Sequence, residues 1–335
     1  MKLLTFNNLI SVENLYLAHH KTNRGKHKFT NNALIFNIDK DNNLLEILTD
    51  LINNKYKFSK YKKMIITDNK RREIHAPIYR DKIVHHMLNN LLLPYVSTRY
   101  SKNSFACIKN RGNIHAVKFL QKQIRIAKRH YGNQARLIKI DVSKFFYTIN
   151  RDIMKQRLSL VIKDQWILNV AFKIVDSFDN EQIGLPLGNL TSQTFANIYL
   201  DYIDKHITRT LGIKTYMRYA DDIHIIVPNL IIAKNVRNQI INLITQKLKL
   251  IVNPNKCYIT TLDRVHALGY HIYPDYFKID SRSKKQFKKY LKEQQIKSLN
   301  GWYGQAQHAK CHNLIYKNIY NTNIDFDGKV FKFKK

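Results

Sequence analysis

Two spacings of apolar residues alternate along the chain, one typical of helices and one typical of strands. Apolar positions three and four apart predict helices, and short alternating or continuous apolar runs predict strands. The predicted helices are 9–20, 43–54, 81–93 (stopped by Pro94), 115–130, 151–178, 190–207 and 231–250. The predicted strands are 64–67 and 73–76, joined by a polar turn at 68–70, then 137–140, 257–261 and 265–273. From 281 to the end the pattern is helical and basic.

A further predicted hairpin, 214–228, places the sequence Tyr219-Ala220-Asp221-Asp222 between two apolar runs. Adjacent carboxylates at a tight turn repel each other unless a cation lies between them. Hard oxygen ligands of this kind suit Mg²⁺. Asp141 follows the predicted strand 137–140, and it completes a two-metal site if the two strands are neighbours in one sheet.

The charge balance points to nucleic acid. The chain has 335 residues, enough for two or three domains, with 57 Lys and Arg against 24 Asp and Glu, a formal net charge of +33. A basic surface together with 20 Tyr and 16 Phe is typical of phosphate contact combined with base stacking. A Lys-rich composition from AT-biased codons is the alternative, although such bias would normally raise the acidic residues too.

Cysteine usage indicates a reducing compartment. Cys107, Cys257 and Cys311 are scattered and form no CxxC pair, which argues against a disulfide framework or a cysteine-based zinc site. His308 and His312 near Cys311 are either a ligand cluster or, with no fourth ligand evident, surface histidines. The polar start and the absence of a long apolar run predict a cytoplasmic protein with no membrane partner.

Lysines follow a helical spacing in the last predicted segment. They lie along one helix face, with Trp302 not far beyond, and are Lys284, Lys285, Lys288, Lys289 and Lys292. Such a run is either a solvated face or a surface that grips a nucleic-acid duplex, and the scarcity of balancing acids favours the second.

These elements and motifs together resemble a reverse transcriptase over nearly the whole chain. The segments that carry the resemblance are 137–146, Tyr219-Ala220-Asp221-Asp222, 253–256, 267–272, and Arg72, Ile74, Pro77 and 81–84 upstream. The resemblance implies an α+β right-hand polymerase, with fingers at 1–135, a palm with an antiparallel sheet at 136–275, and a helical basic thumb at 276–335. It implies RNA-directed DNA polymerase activity on an RNA template and primer with dNTPs.

The resemblance also implies roles for individual residues. The catalytic carboxylates are Asp141, Asp221 and Asp222, and together with Val142 they form the metal-binding set for two Mg²⁺ ions, with Mn²⁺ as an alternative. The nucleotide-binding residues are Lys70, Arg72, Phe146, Leu187, Gly188, Gln193 and Lys256. The nucleic-acid-binding residues are Tyr219, Gly269, Tyr270, Lys284, Lys285, Lys288, Lys289 and Trp302.

Phe146 separates the polymerase types. In reverse transcriptases an aromatic side chain at this position is similar to a steric gate that fills the space of a 2′-hydroxyl, so the expected substrate is a dNTP. The alternative is that Phe146 belongs to the core, with Phe145 pointing the other way on a strand.

The loop 184–193 narrows the family. Leu187 replaces the usual Gln and Gln193 replaces the usual Pro, and both features resemble the reverse transcriptases of diversity-generating retroelements, as do 301–310 and 312–314. This resemblance implies error-prone copying of a dedicated structured noncoding RNA and a small basic accessory protein that oligomerises. It also implies a bacterial, archaeal or phage gene.

Other assignments stay open. A phage-defence reverse transcriptase bound to a noncoding RNA would have much the same catalytic core. A retron enzyme is disfavoured because its Val-Thr-Gly thumb element is absent, and a group II intron protein because nothing resembles its maturase or endonuclease extensions. A non-catalytic RNA-binding scaffold is disfavoured by the three retained carboxylates.

Overall fold

A computed structural model describes residues 4–67, 71–178 and 183–334. The helices, in chain order, are α1 (Phe6–Leu9), α2 (Val12–Thr22), α3 (Asn31–Ile38), α4 (Lys40–Ile52), α5 (Tyr79–Ser97), α6 (Asn113–Tyr131), α7 (Phe145–Thr148), α8 (Arg151–Val161), α9 (Gln165–Asp176), α10 (Leu190–Lys205), α11 (Leu230–Asn242), α12 (Ser281–Lys292), α13 (Ile296–Ala306) and α14 (His312–Ile319). The strands are β1 (Lys62–Thr67), β2 (Arg71–Ala76), β3 (Arg136–Ile140), β4 (Tyr216–Tyr219), β5 (Asp222–Val227), β6 (Tyr258–Thr260), β7 (Val265–Ala267), β8 (Tyr270–Ile272), β9 (Phe277–Ile279), β10 (Ile324–Phe326) and β11 (Phe331–Phe333).

The chain divides into two compact units. The first unit comprises Met1–Cys107, Asp141–Gly212 and Gln239–Asn253, and the second comprises Ile108–Ile140, Ile213–Asn238 and Pro254–Lys335. Helices mix with antiparallel sheets, so the fold class is α+β as predicted. The boundaries of fingers, palm and thumb along the chain remain a prediction.

The first unit is built around the long helix α5. This helix packs against α2 and α10, and its buried residues include Ile83, Met87 and Leu92. Contrary to the prediction, α5 runs through Pro94 to Ser97. A proline inside a helix removes one backbone hydrogen bond and clashes with the preceding turn. Pro94 lies in the last turn of α5, so only three helical residues follow it.

Two buried titratable groups on α5, Asp81 and His85, have hydrogen-bond partners. Asp81 is 1% exposed and accepts hydrogen bonds from the Tyr56 hydroxyl at 2.7 Å and the Ser59 N–H at 2.9 Å. His85 Nδ1 lies 3.0 Å from the Thr191 hydroxyl of α10. Burial raises the pKa of Asp81, opposed by its hydrogen bonds, and burial lowers the pKa of His85 to about 3, so His85 is neutral at pH 7.

A four-stranded antiparallel sheet with the order β4-β5-β3-β6 forms the centre of the second unit. The register places Ile140 opposite Ile223 and Lys139 opposite both His224 and Tyr258. The side chains of β5 are buried from Ile223 onward, because α6 packs against β4 and β5. Thus the predicted strand 137–140 and the predicted acidic hairpin are neighbours in one sheet.

The predicted strand 265–273 is wrong, because this segment forms a hairpin. β7 and β8 pair across a turn in which Leu268 and Gly269 both have positive φ, +53° and +86°, and β9 adds a third strand. A left-handed pair at this position breaks the strand because it reverses the chain.

The all-helical prediction for the C-terminal segment is wrong in part. After α12, α13 and α14 the chain ends in the hairpin β10–β11. The ring of Phe326 lies 4.6 Å from that of Phe331 and 4.7 Å from that of Tyr303 on α13. The alternation of apolar and polar residues in 324–333 is the signal for these strands.

Candidate active site

A two-residue turn joins β4 to β5 and carries Asp221 next to Asp222, with Tyr219 opposite Asp222 in the register. Ala220 adopts the left-handed conformation, with a φ of +53°. The guanidinium of Arg218, which is fully buried, donates a 3.0 Å hydrogen bond to the Ala220 carbonyl. A non-glycine residue in this region of φ is strained, and the buried arginine stabilises the turn.

Two basic side chains lie behind this turn. Lys139 Nζ is 3.5 Å from Asp222 Oδ2, and His224 Nδ1 is 3.7 Å from Asp222 Oδ1. Burial lowers the pKa of His224, opposed by the negative charge of Asp222. The positive charge behind the acidic turn therefore comes from Lys139, because the lowered pKa of His224 favours its neutral form.

In the first unit, Asp141 begins a short antiparallel backbone pairing with residues 251–253. The Asp141 carbonyl accepts from the Asn253 N–H at 2.8 Å, and the Asn253 side-chain amide lies 3.4 Å from Asp141 Oδ2. Val142, which is 2% exposed, forms a bridge to Val252. This pairing fixes the backbone on which the Asp141 carboxylate stands.

The chain itself connects Asp141 to the sheet of the second unit. Asp141 directly follows Ile140, the last residue of β3, and Ile140 is opposite Ile223, the neighbour of Asp222 in β5. In an antiparallel pair, the last residue of one strand lies beside the first residue of its neighbour. Along the chain, Asp141 therefore directly follows the strand that pairs with β5, the strand that begins with Asp222.

Phe145 and Phe146 lie on a helical turn, α7, and not on a strand. Phe145 is 4% exposed and belongs to the core, whereas Phe146 is partly exposed, with ring centroids 5.3 Å apart. Lys144 before them has a φ of +46°, and this left-handed residue ends the extended segment. The core role therefore falls on Phe145, and Phe146 remains the candidate gate.

The glycine-rich loop 184–188 packs against the β1–β2 hairpin. The Leu187 carbonyl accepts from the His75 N–H at 2.8 Å. Gly188, with a φ of +109°, approaches β2 so closely that a Cβ there would lie 2.5 Å from Ile74 Cγ2. Side chains two apart on a strand share a face, so Arg72 lies on the face of β2 that carries Ile74, and it is exposed.

Other predicted nucleotide-binding residues are placed as follows. Gln193 is exposed in the first turn of α10, and Lys256 is exposed in the short turn Pro254–Lys256 of the second unit. Lys70 lies outside the described residues.

The predicted nucleic-acid-binding residues divide into exposed and buried groups. Gly269, Lys285, Lys288 and Lys289 are exposed, and Tyr219 and Lys284 are partly exposed. Tyr270 is 5% exposed, with its hydroxyl on the Gln305 carbonyl at 2.9 Å.

Trp302 differs from the prediction. Its ring stacks on Phe287 with centroids 4.5 Å apart, its N–H donates to Ser283, and it is 7% exposed. Both Trp302 and Tyr270 pack within the second unit, so the predicted nucleic-acid surface is reduced to the lysines, Tyr219 and Gly269.

Sequence reasoning missed several residues that hold the site. Arg151 is buried and donates to the carbonyls of Gly184 and Phe178, at 3.1 and 2.7 Å. The Tyr147 hydroxyl donates to the Glu73 carbonyl of β2 at 2.8 Å. The only signal in the sequence was their position beside a motif, since side-chain to backbone bonds leave no periodic pattern.

A divalent ion fits the chemistry of these donors. Carboxylate oxygens are the ligands that Mg²⁺ prefers, and one or two of them suffice when substrate phosphates complete the shell. Asp222 Oδ1 is a buried oxygen without a hydrogen-bond partner. Within the described residues no three His, Cys, Asp or Glu side chains form a cluster that could hold a metal by themselves.

An antiparallel sheet thus carries the acidic turn, and Asp141 directly follows its strand β3 along the chain. Residues 59–272 match the family model described as reverse transcriptase (RNA-dependent DNA polymerase). The chain therefore belongs to the reverse transcriptase family, whose members generally use divalent metal ions.

Relatives share limited identity with this chain. It is 25% identical over 175 residues to the COX1/OXI3 intron 2 protein of Saccharomyces cerevisiae, a match that covers 49% of this chain and 20% of the relative. It is 24% identical over 214 residues to the intron 1 protein of the same yeast, covering 59% of this chain and 25% of the relative. The chain thus spans a quarter or less of the length of these relatives.

Solved structures share the fold. Telomerase from Candida albicans, in complex with a fragment of telomeric RNA, has a TM-score of 0.53 at 13% identity, covering 77% of this chain and 56% of the telomerase chain. Apo telomerase from Candida tropicalis has a TM-score of 0.53 at 15% identity, covering 74% and 51%. The fold is that of the right-hand polymerases, as predicted.

Proposed function

We propose that this protein is an RNA-directed DNA polymerase whose catalytic carboxylates are Asp141, Asp221 and Asp222. The observation that carries the proposal is the sheet register. The strand directly before Asp141, β3, pairs with β5, which begins with Asp222. Carboxylates that are brought together repel one another unless cations are bound between them.

Two Mg²⁺ ions are the cofactor we propose, with Mn²⁺ as an alternative and Val142 in the binding set. Bound there, the ions would lower the pKa of the primer 3′-hydroxyl and neutralise the triphosphate. Asp221 and Asp222 would contribute hard oxygen ligands from the turn, and the Asn253 side-chain amide lies 3.4 Å from Asp141 Oδ2 within the first unit. The protein's own part is to position these carboxylates before the nucleotide arrives.

The nucleotide we propose is a dNTP, bound by residues of the first unit. Arg72 on the exposed face of β2 would contact the triphosphate, as would Lys70, and Phe146 would exclude a 2′-hydroxyl. Leu187, Gly188 and Gln193 would form the loop beneath the base. Support comes from the contacts of this loop with β2, at His75 and Ile74. Lys256 would reach the phosphates from the segment after α11.

The template we propose is a structured RNA. A cavity of about 700 Å³ in the first unit opens beside Gly188, and the described side chains around it include Lys21, Lys62 and Lys82 but no carboxylate. Burial lowers the pKa of Lys82 and of Lys21. Cations that lack counter-charges favour a phosphate backbone, and the net charge of +33 acts in the same direction.

The biological setting we propose is a diversity-generating retroelement, in which the enzyme copies a dedicated noncoding RNA with low fidelity beside a small basic accessory protein. Leu187 supports this, because an apolar side chain in place of Gln removes an amide hydrogen-bond donor near the nucleotide. A cytoplasmic protein of a bacterium, archaeon or phage fits the three free cysteines. A phage-defence reverse transcriptase is the second candidate, and Leu187 alone favours the first.

Primer extension tests the activity. The purified chain should extend a DNA primer on an RNA template with Mg²⁺, and Asp221→Asn and Asp222→Asn should each lower the rate by about a thousand-fold or more. A folded wild-type chain that binds RNA but extends no primer would instead indicate the scaffold function.

Two further experiments address the template and the fidelity. RNA that copurifies with the protein should, when sequenced, be one structured species and not a random sample of cellular RNA. Leu187→Gln should lower the misincorporation rate opposite template adenine, while Leu187→Met, which adds no donor, should leave it unchanged. An unchanged error rate in Leu187→Gln would count against low fidelity arising from this side chain.

A further inference from the structure

One face of the four-stranded sheet brings a lysine, a histidine and the second carboxylate of the turn together. Lys139 on β3 is directly opposite His224 on β5, and Asp222 is two residues from His224 on the same strand. Strand side chains two apart share a face, so all three project to the same side. The distances are 3.5 Å from Lys139 Nζ to Asp222 Oδ2 and 3.7 Å from His224 Nδ1 to Asp222 Oδ1.

This arrangement is buried. The side chain of Lys139 is 9% exposed and that of Asp222 is 18% exposed, and His224 is fully buried. A lysine ammonium in such a place is unfavourable unless a carboxylate pairs with it. Asp222 is the carboxylate within ion-pair distance, so each charge holds the other in place.

We propose that Lys139 is a positioning residue that fixes the Asp222 carboxylate and compensates its charge. This rests on the proposed function, because the role is defined by the divalent ions at the acidic turn. Asp221 and Asp222 are neighbours whose charges oppose each other. With Lys139 in place, the charge of Asp222 is compensated from inside the sheet and its carboxylate is held in one orientation.

Removing the ammonium changes two quantities in opposite directions. In Lys139→Met the Asp222 carboxylate loses its anchor, so the reacting groups are less well aligned and the rate of nucleotide addition falls, by about ten-fold or more. The turn also becomes more negative, so divalent ions bind more tightly, by about three-fold or more. A residue with a purely structural role would lower the rate and weaken ion binding together.

The experiment compares Lys139→Met with Lys139→Arg, which keeps the charge. Mn²⁺ binding is measured by calorimetry on the protein without nucleic acid, single-turnover primer extension gives the rate, and thermal unfolding without metal reports the fold. Lys128→Met on α6, which removes a lysine paired with Asp263 elsewhere in the second unit, controls for net charge. We expect tighter Mn²⁺ binding and a slower rate in Lys139→Met only, with most of the rate regained in Lys139→Arg.

Several outcomes would overturn the proposal. The first is a Lys139→Met protein whose Mn²⁺ affinity and extension rate are both unchanged. The second is a Lys139→Met protein that binds Mn²⁺ more weakly and has a lowered melting temperature, neither of which Lys139→Arg restores. The third is a Lys128→Met protein whose Mn²⁺ affinity and extension rate change as much as those of Lys139→Met. Failure of the proposed function looks different. In that case the wild-type chain extends no primer, and Asp221→Asn leaves Mn²⁺ binding unchanged.

Discussion

At Gly188 the backbone of the loop 184–188 comes close to β2. Its φ of +109° is open to glycine but strained for other residues, and the space for a Cβ is taken by Ile74 of β2. The loop 184–188 and the β1–β2 hairpin therefore pack closely at Gly188. Adding one methyl group at Gly188 tests this packing.

Gly188→Ala should lower the free energy of unfolding by about 1–3 kcal/mol, because both strain and overpacking act at this position. Chemical denaturation measures the change, and primer extension should slow as the loop shifts. Gly304→Ala on α13, where nothing lies within 4 Å of the added Cβ, is the matched control and should be neutral or stabilising. Equal effects of the two substitutions would contradict the close fit.

Phe146 tests the choice of sugar. Phe146→Val should raise the incorporation of ribonucleotides relative to deoxyribonucleotides by about ten-fold or more, because the smaller side chain leaves room for a 2′-hydroxyl. Competition between rNTP and dNTP in single-nucleotide extension measures the ratio. Phe145→Leu, a core change, should lower the melting temperature without moving that ratio. If Phe145→Leu alone changed the ratio, the gate would be assigned to the wrong phenylalanine.

At the scale of elements, α12 separates its cations from its packing residues. Phe287 and Leu291 are buried within the second unit, whereas the lysines at 285, 288, 289 and 292 are exposed. The helical spacing of the lysines, which predicted this helix from the sequence, also places them on one cationic face. Glu293 forms an ion pair with Lys289 of this face at 3.9 Å.

Replacing Lys284, Lys285, Lys288 and Lys289 by alanine should weaken duplex binding and reduce the slope of log affinity against log salt by roughly one per lost phosphate contact. Fluorescence anisotropy across a salt series measures both. The control removes four lysines elsewhere in the C-terminal segment, Lys317, Lys329, Lys332 and Lys334. If both quadruple variants lose the same slope, net charge and not α12 is responsible.

Element prediction succeeded where local pattern decides and failed where packing decides. The strand before Asp141 and the acidic hairpin followed from apolar runs and are confirmed. Trp302 appeared to be a surface aromatic beside lysines, yet it stacks on Phe287 in the core. A lone aromatic near a basic run has no local signal of its orientation, because its burial depends on the packing of α13 against α12.

At the scale of the whole molecule, stability should depend on pH through two histidines of α5, the buried His85 and the partly buried His86. Burial and the neighbouring Lys21 and Lys82 lower the pKa of His86 to about 4, and burial lowers that of His85 to about 3. The folded chain therefore keeps both neutral at a pH where the unfolded chain, with pKa values near 6.5, binds protons. Stability is complete above about pH 6.5 and is lost as the pH falls toward 4.

Thermal unfolding between pH 7 and pH 5 should therefore show a falling melting temperature. His86→Gln should flatten this dependence, since it removes one of the groups that the unfolded chain protonates. His308→Gln on the exposed C-terminal surface is the control and should leave the slope unchanged. Parallel pH profiles for wild type and His86→Gln would show that His86 does not contribute.

None of the helices in the described chain is long and apolar enough to cross a membrane. Charge is the dominant feature at this scale, and an excess of 33 positive charges favours association with polyanions at low salt. Which polyanion binds is set by the site and not by the total charge.

The sequence by itself determined the chemistry of the site and its order along the chain, because acids at strand ends, glycines in a loop and a basic helix are local features. Tertiary structure alone decided what surrounds them. The pairing of Lys139 with Asp222, the grip of Arg151 on the loop and the contact of Gly188 with Ile74 join residues from 33 to 114 positions apart. Such contacts follow from register and packing, which depend on every strand and helix of the unit at once.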